Sequence, residues 1–274
     1  MFPRVTVTAI QTGEVQIKTR HVEARFGPRP ARVADVLADR SWAPRLPILC
    51  FLIDHSEGPI MVDTGESSHA NDPGYQPRWH PFVQTSERRW VETHEEVGAQ
   101  LRAQGIDPGD VGRVVMTHMH GDHAGGLSHF PNAQIIMSAT EASMATARTG
   151  PLNGYLNGHY PAWLEPTVIE FADDPWEVFE ASYRLTDDGA VRLIPTPGHT
   201  KGHLSVVVED TGRLILLTGD ATYSEQALTD GVVDGVAQDE KAHRRTTQLL
   251  RELCSRRHVV VAPSHDPDTQ SRLK

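Results

Sequence analysis

The chain has 274 residues, of which 38% are hydrophobic and 23% are charged, and its formal net charge is -10 with the histidines neutral. This composition predicts a soluble globular protein with a sizeable core. The acidic balance argues against general nucleic-acid binding, which needs a basic surface, and no stretch approaches the roughly 20 apolar residues of a membrane-spanning helix.

The N-terminal segment and the two cysteines indicate the cellular compartment of the protein. Residues 1–5 do not form a basic region followed by a long apolar run, so we expect no signal peptide. Cys50 and Cys254 lie far apart in sequence, and two buried thiols in a reducing compartment are favoured over a disulfide. We therefore expect a cytoplasmic protein, folded as a single domain over residues 1–274.

The first part of the chain predicts strands that are separated by one irregular arm. Alternating side chains predict strands at residues 5–10 and 14–17, and two apolar runs at residues 46–53 and 59–65 predict a hairpin. Residues 20–46 are rich in Pro and Arg and are expected to form a loop or arm with little core of its own.

The middle and the end of the chain alternate between helices and strands. Ser138 is expected to cap a helix over residues 139–148, with Glu141 three residues later as in a capping box. The other predicted helices cover residues 91–104 and 239–256, and the other predicted strands cover residues 133–137, 167–171, 183–186, 190–196, 203–209, 213–218 and 258–263. Two groups of strands with attached helices suit two sheets packed face to face with helices outside.

Two long segments, residues 66–91 and 149–166, carry aromatic side chains without a clear period. Such segments line a pocket, cover the core or pack against a second subunit. Together with residues 20–46 they hold more aromatic surface than one core of this size should need, which favours a homodimer.

A dense group of metal-binding residue types follows a short apolar run. His118, His120, Asp122 and His123 fall within six residues. Neutral imidazole nitrogens and carboxylate oxygens are the ligands that zinc and similar divalent ions take. His118 and His120 would project from one side of an extended segment, so one turn could offer ligands to two neighbouring ions. The alternative is a polar surface loop, which the density of ligands directly after a buried-type strand disfavours.

Three further apolar runs each end in a turn and one candidate ligand, namely His199, Asp220 and His265. Taken singly, each is explained equally well as a turn former or an exposed polar residue. Because strand ends meet at one rim of a sheet, the three can join the first group and supply seven ligands, about as many as two ions need. Ten other histidines are expected to have no metal role: His21, His55, His69, His80, His94, His129, His159, His203, His243 and His258. Of these, His129 and His203 are kept open because they are near the ligands in sequence.

The pattern His-x-His-x-Asp-His at residues 118–123, with the three later ligands, resembles the metallo-β-lactamase superfamily. The Val-Asp-Thr-Gly segment at residues 62–65 matches as well, and there Asp63 would orient a metal-binding histidine. The resemblance covers nearly the whole chain. It implies an α/β fold, an αβ/βα sandwich of two mixed sheets with outer helices, and a dinuclear site at one edge. It also implies three groups of ligands: His118, His120 and His199 for the first ion, Asp122, His123 and His265 for the second, and Asp220 as the bridge.

Tyr223 points to one branch of this superfamily. Its place three residues after Asp220 resembles the N-acyl homoserine lactonases, where that tyrosine faces the substrate carbonyl. The zinc β-lactamases usually carry Cys where this chain has Asp220. Gly121 departs from members with a bulky residue there, which affects the pocket shape and not the metal site. An ordinary packed tyrosine is the alternative for Tyr223.

The resemblance implies a dinuclear-metal hydrolase that opens the lactone ring of N-acyl homoserine lactones, which are quorum-sensing signals, by a metal-bridging hydroxide. Tyr223 would donate a hydrogen bond to the developing oxyanion, and Asp122 or Asp220 would pass a proton to the leaving alkoxide, with Asp122 favoured. The mixed ligand set fits zinc, while iron, cobalt and manganese remain open.

Two other functions are weighed against this one. Another hydrolase of the same superfamily, such as an esterase, a general lactonase or an organophosphate hydrolase, is the alternative within the class. A non-catalytic metal-binding scaffold is disfavoured, because a scaffold does not need a complete dinuclear ligand set. We expect the partner to be a small-molecule lactone, and neither nucleic acid nor a membrane.

Overall fold

The computed structural model describes residues 5–25 and 27–274, and within these ranges it contains two β-sheets. The first sheet consists of β1 (Thr6–Ile17), β2 (Leu46–Asp54), β3 (Ile60–Val62), β4 (Glu87–Trp90), β5 (Arg113–Val115), β6 (Gln134–Ser138) and β7 (Thr167–Ile169). The second consists of β8 (Tyr183–Arg184), β9 (Val191–Pro195), β10 (Leu204–Asp210), β11 (Arg213–Gly219) and β12 (Val259–Pro263). Residues 1–4 lie outside this description, and with them most of the segment for which no signal peptide was expected.

Both sheets mix antiparallel and parallel pairs. The first has the order β4-β1-β2-β3-β5-β6-β7, in which the pairs from β3 to β7 are parallel and the others antiparallel. The second has the order β12-β11-β10-β9-β8, in which β11 and β12 pair in parallel and the other neighbours are antiparallel. The antiparallel pairing of β2 with β3 confirms the predicted hairpin.

Helices cover the outer faces of the sheets. In chain order the described ranges contain α1 (Thr19–Val22), α2 (Arg29–Ala38), α3 (Pro81–Thr85), α4 (Val97–Ala103), α5 (Gly121–Ala124), α6 (Ala139–Thr146), α7 (Glu225–Asp230), α8 (Glu240–Arg256) and α9 (Thr269–Arg272). Apolar side chains of α4 and α6 pack on the first sheet, and those of α7 and α8 pack on the second.

The alternation of side chains along each strand builds the layers. In β2, Leu49, Phe51 and Ile53 join the core between the sheets, whereas Cys50 and Leu52 join the cluster beneath the helices of the first sheet. This is why residues 46–53 are almost continuously apolar: both faces of the strand are buried. The predicted αβ/βα sandwich of two mixed sheets with outer helices is confirmed. That residues 1–274 form a single domain stays a prediction.

The prediction of an irregular arm over residues 20–46 is wrong, because this segment contains α1 and the ten-residue helix α2. The loop was predicted from the proline content of the segment, but proline is compatible with the start of a helix. Pro28 is the N-cap of α2 and Pro30 lies in its first turn, where a missing N–H costs nothing because it has no partner within the helix. The two strands predicted at residues 5–10 and 14–17 are one strand, β1, with a shift of register between them.

Two whole-chain expectations are tested by the described residues. Cys50 and Cys254 are both free thiols, as predicted, although Cys254 is half-buried and not buried. In the part of the chain that the structure describes, no helix has the length and apolar character that crossing a membrane would take.

A pair of glycines holds the histidine motif against the loop that follows β3. A Cβ atom on Gly125 would lie 2.6 Å from the backbone nitrogen of Ser67, and one on Gly126 would lie 2.3 Å from the backbone oxygen of Thr64. The N–H of Gly125 also donates to the carbonyl of Gly65 at 2.9 Å. The two loops can approach this closely because both positions lack a side chain.

We expect Gly126→Ala to lower the free energy of unfolding by about 1–3 kcal/mol, because overpacking against a backbone atom forces the loops apart. Gly112→Ala is the matched control, since no described heavy atom lies within 4 Å of its Cβ position. Urea unfolding of both variants measures the difference. Equal stability of the two variants would contradict this reading of the loop contact.

Candidate metal centre

The structure brings all seven predicted ligands together at one edge of the sandwich, each just beyond the end of a strand. His118, His120, Asp122 and His123 follow β5, His199 follows β9, Asp220 follows β11 and His265 follows β12. Three groups have ligand atoms within 4.8 Å of one another: His118, His120 and His199; His118, His123 and Asp220; and Asp122, His123 and His265. The first and third groups are the two triads that the family resemblance implies.

Asp220 lies between the two triads. Its Oδ1 is 3.2 Å from Nε2 of His123 and 3.3 Å from Nε2 of His265, and its Oδ2 is 3.5 Å from Nε2 of His199. Oδ2 of Asp122 lies 3.5 Å from Nε2 of His265. The two oxygens of Asp220 therefore face different groups, which is the arrangement that a bridging carboxylate needs.

Each of the five histidines has one ring nitrogen engaged outside the cluster. The partners are the Thr117 hydroxyl for Nδ1 of His118 (3.2 Å), the Asn153 carbonyl for Nε2 of His120 (2.9 Å), Asp63 for Nδ1 of His123 (2.8 Å), Asp234 for Nδ1 of His199 (3.1 Å) and the Pro47 carbonyl for Nδ1 of His265 (2.9 Å). Every partner offers an acceptor oxygen, so each ring in its neutral form donates outward and keeps a lone pair towards the cluster.

Several ring nitrogens and a carboxylate oxygen that face the centre of the cluster have no hydrogen-bond donor. Nε2 of His118, Nε2 of His123 and Oδ1 of Asp220 are buried and make no hydrogen bond within the described residues. Nε2 of His199 and Nδ1 of His120 face each other at 3.0 Å, although the outer contacts assign a lone pair to both. Buried acceptors without donors are costly, and a cation is the group that satisfies several at once. The residues therefore fit a pair of divalent metal ions.

Electrostatics divide the five histidines of the cluster into two sets. Burial lowers the pKa of His118 well below its ordinary value, with His123 and His120 adding to the effect, and burial lowers the pKa of His120 to about 3. Burial would raise the pKa of Asp220, but His265 and His123 hold it well below its usual range. Burial lowers the pKa of the other three histidines as well, but their carboxylate neighbours outweigh it: Asp220 and Asp63 raise the pKa of His123, Asp234 and Asp220 raise that of His199, and Asp220 and Asp122 raise that of His265. A metal ion would displace these protons, since only a deprotonated ring nitrogen binds it.

Asp63 accepts hydrogen bonds from the segment that contains the histidine motif. Its Oδ1 accepts the backbone N–H of Thr117 at 2.8 Å, and its Oδ2 accepts the Thr117 hydroxyl at 2.7 Å and Nδ1–H of His123 at 2.8 Å. The hydrogen bond that was predicted between Asp63 and a ligand histidine is therefore present. Asp63 has a φ of 58°, a left-handed conformation that Asp tolerates better than most residues.

Sequence analysis missed Asp234 and His243, which support His199. Oδ2 of Asp234 lies 3.1 Å from Nδ1 of His199 and 3.3 Å from Nε2 of His243. Asp234 follows α7 in a segment without periodicity, so no local signal could place it there. His203, which was kept open, accepts the backbone N–H of Asp220 at 3.1 Å, whereas His129 contacts Glu96 away from the cluster.

Glu141 links two of the ligand loops. The Ser138 hydroxyl accepts the Glu141 N–H at 3.0 Å, as predicted, but the buried Glu141 carboxylate does not complete the capping box. It accepts the Met119 N–H at 2.9 Å and the Thr200 hydroxyl at 2.7 Å instead. The carboxylate thereby ties the residue before His120 to the residue after His199.

A cavity of about 440 Å³ opens above the cluster. Each of the three long segments of the sequence analysis contributes to its wall, including Leu37, Trp79 and Leu152, whose exposed fractions are 39%, 60% and 60%. Tyr223 is buried in the same wall, with its ring centroid 5.5 Å from that of His265. The predicted catalytic tyrosine thus lies beside the candidate metal ligands.

Comparisons with known proteins agree with this geometry. Residues 43–265 match the family described as the Metallo-beta-lactamase superfamily. The N-acyl homoserine lactonase AttM of Azorhizobium caulinodans is 32% identical over 236 residues, which cover 84% of this chain and 85% of that protein, and the N-acyl homoserine lactonase AiiA of Bacillus thuringiensis subsp. kurstaki is 28% identical with the same coverage. A solved N-acyl homoserine lactone hydrolase with N-hexanoyl-L-homoserine at its catalytic metal center has a TM-score of 0.78 and 25% identity, covering 99% of this chain and 96% of that one.

We expect Asp63→Asn to weaken metal binding by about 10- to 100-fold, because the amide NH2 would face a donor in either orientation, the Thr117 backbone N–H or Nδ1–H of His123, and the tautomer of the ring would no longer be fixed. Elemental analysis after dialysis against graded chelator concentrations measures the retained metal. Asp107→Asn is the control, since its Oδ1 accepts the Gly109 N–H at 2.9 Å, which an amide oxygen can also do, and Asp107 belongs to none of the groups of described residues that could hold a metal. Equal metal retention in the two variants would refute the role of Asp63.

Proposed function

The chain belongs to the metallo-beta-lactamase superfamily, and we propose that it is a metal-dependent hydrolase that opens the lactone ring of N-acyl homoserine lactones. The observation that carries this proposal is the complete seven-residue ligand cluster with Tyr223 in the same cavity. Relatives named as N-acyl homoserine lactonases, at about 30% identity over 84% of the chain, support the choice of substrate. Such an enzyme would act as a quorum quencher.

The cofactor in this proposal is a pair of divalent ions, for which zinc suits the mixed imidazole and carboxylate ligands. One ion would be held by His118, His120 and His199, the other by Asp122, His123 and His265, and both by Asp220. When bound, such a pair supplies a water ionised near neutral pH and Lewis-acid polarisation of a carbonyl.

Tyr223 stabilises the charge that develops on the substrate carbonyl oxygen. Burial raises the pKa of its hydroxyl well above the ordinary value, and the negative charge of Asp220 raises it further. The hydroxyl therefore keeps its proton at neutral pH and can donate a hydrogen bond to the oxyanion. A donor that is already in place in a water-poor cavity stabilises the transition state more than the substrate.

Asp122 is the better placed of the two carboxylates to move a proton. Its side chain is 22% exposed and lines the cavity, whereas the side chain of Asp220 is 4% exposed and has both oxygens facing ligand histidines. In the proposed reaction Asp122 takes the proton that the attacking water gives up. It then passes that proton to the alkoxide oxygen released when the ring opens.

The oligomeric state, the location and the identity of the metal remain predictions. The aromatic segments that favoured a homodimer line the cavity, which accounts for part of their apolar surface without a second subunit. The homodimer, the cytoplasmic location and the identity of the metal all await measurement.

The proposed function is tested by pH-stat titration of the metal-loaded protein with N-acyl homoserine lactones, an aryl ester and a phosphotriester. We expect the homoserine lactones to be opened with the highest kcat/KM. Faster cleavage of the aryl ester or the phosphotriester would favour another hydrolase of the superfamily. If the protein with both ions bound opens no lactone, the proposal is wrong.

Tyr223→Phe is expected to lower kcat for lactone opening by roughly 10- to 100-fold, since a hydrogen bond to a charged group contributes about 1.5–3 kcal/mol. Both metal ions should remain bound, because the hydroxyl is not one of the seven ligands. Steady-state kinetics and elemental analysis on the same preparation check both points. Tyr183→Phe, at an exposed tyrosine of β8, is the control and should keep wild-type kcat. Unchanged turnover in Tyr223→Phe would rule out the assigned donor.

Trp79→Ala tests whether the apolar mouth of the cavity binds the acyl chain. We expect kcat/KM to fall about tenfold for the N-dodecanoyl substrate, because uncovering about two methylene groups costs roughly 1.5 kcal/mol, and to change little for the N-butanoyl substrate. Trp163→Ala removes a half-exposed tryptophan that does not line the cavity and should leave the ratio of the two kcat/KM values unchanged. The same loss for both chain lengths would place the acyl chain elsewhere.

A further inference from the structure

His21 lies in the cavity wall, although the sequence analysis gave it no role. It is on α1, 6% exposed, and its Nε2 lies 3.3 Å from the hydroxyl oxygen of Tyr223. The two rings meet edge to face, with their centroids 6.1 Å apart. The seven candidate ligands do not include His21, so its contact with Tyr223 needs an explanation of its own.

The position of the His21 ring is fixed by its surroundings. The ring of Phe82 packs against it with a centroid distance of 5.6 Å. The His21 carbonyl accepts the N–H of Gly235 at 2.8 Å, which ties α1 to the segment after α7. A Cβ atom on Gly235 would lie 2.1 Å from the carbonyl oxygen of Arg20, so this close approach requires glycine. His21 therefore faces Tyr223 from a rigid support.

The hydrogen bond between the two side chains has two alternative directions. If Nε2 accepted the tyrosine proton, that proton would not be available to a substrate, and Nδ1 of His21 would carry the N–H of the ring. Nδ1 is buried and has no hydrogen-bond partner within residues 5–25 and 27–274. A buried N–H without an acceptor is rare because it loses its hydration without compensation.

The opposite direction avoids this cost. With the proton on Nε2, His21 donates to the Tyr223 oxygen, and Nδ1 carries only a lone pair. Burial lowers the pKa of His21, against the raising effect of Glu87 and Asp234, so the ring is neutral near neutral pH and has one N–H to place. The tyrosine oxygen then acts as the acceptor, and its own O–H is free to point elsewhere in the cavity.

We propose that His21 is a positioning residue, which donates its Nε2–H to the Tyr223 oxygen and thereby turns the Tyr223 O–H towards the substrate carbonyl. No proton passes between the two side chains. This inference rests on the proposed function, because it explains how Tyr223 becomes the donor in ring opening.

Four variants test the proposal by kinetics: His21→Leu, His21→Gln, Tyr223→Phe, and His21→Leu combined with Tyr223→Phe. We expect His21→Leu to lower kcat for homoserine lactones about 3- to 10-fold with little change in KM, since it removes one hydrogen bond that matters in the transition state. His21→Gln should recover most of the loss, because its amide N–H can occupy the place of Nε2–H. In the Tyr223→Phe background, His21→Leu should have no further effect.

His80→Leu is the matched control, since it removes another imidazole from the cavity lining that makes no described hydrogen bond to Tyr223. Its effect on kcat, whatever its size, should add to that of Tyr223→Phe. Metal content and thermal midpoint are measured for every variant, so that a loss of fold is recognised as such. Wild-type kcat in His21→Leu, or a loss that adds in full to that of Tyr223→Phe, would overturn the proposal.

A second measurement does not depend on activity. Nitrogen-15 NMR of the zinc-loaded protein reports which ring nitrogen of each histidine carries the proton, and the signal missing in His21→Leu belongs to His21. We expect Nε2–H, and an Nδ1–H tautomer would overturn the proposal even in an active enzyme. A metal-loaded wild-type protein that opens no lactone, with His21 in the Nε2–H tautomer, would instead contradict the proposed function alone.

Discussion

The candidate metal centre depends on the orientation of five imidazole rings, each of which has one nitrogen facing outward and one facing the cluster. Each ring donates one N–H to a fixed oxygen outside the cluster, so the inward-facing set consists of lone pairs and carboxylate oxygens only. While the rings are neutral, such a set repels itself and contains no hydrogen-bond donor of its own. The fold thus holds in place a group of acceptors that only a donor from outside, and best of all a cation, can stabilise.

The outer oxygens come from widely separated parts of the sandwich. Asp63 follows β3 and the Pro47 carbonyl belongs to β2, both in the first sheet, whereas Asp234 follows α7, in the half of the chain that forms the second sheet. The site is therefore sensitive to how loops from both sheets meet at one edge. Close contacts such as that of Gly126 with the backbone of Thr64 maintain this meeting, and they leave no room for a side chain.

The sequence predicts which polar side chains cluster at this edge, but not the residues that support them, for a physical reason. His199, Asp220 and His265 could be found because each follows an apolar run, and the ends of such runs meet in space. Asp234 and His21 have no such mark, since only long-range packing brings them to His199 and Tyr223. Local rules fail where position or burial overrides them: prolines begin α2 instead of excluding a helix, and the Glu141 carboxylate links two loops instead of completing a capping box.

The central claim is that the seven residues hold two ions with Asp220 between them. Anomalous diffraction at the zinc absorption edge, from crystals of the wild-type protein grown with zinc, tests this claim most directly. We predict two anomalous peaks, one within the triad of His118, His120 and His199 and one within the triad of Asp122, His123 and His265, each also in contact with Asp220. A single peak, or peaks that leave Asp220 without a metal contact, would contradict it.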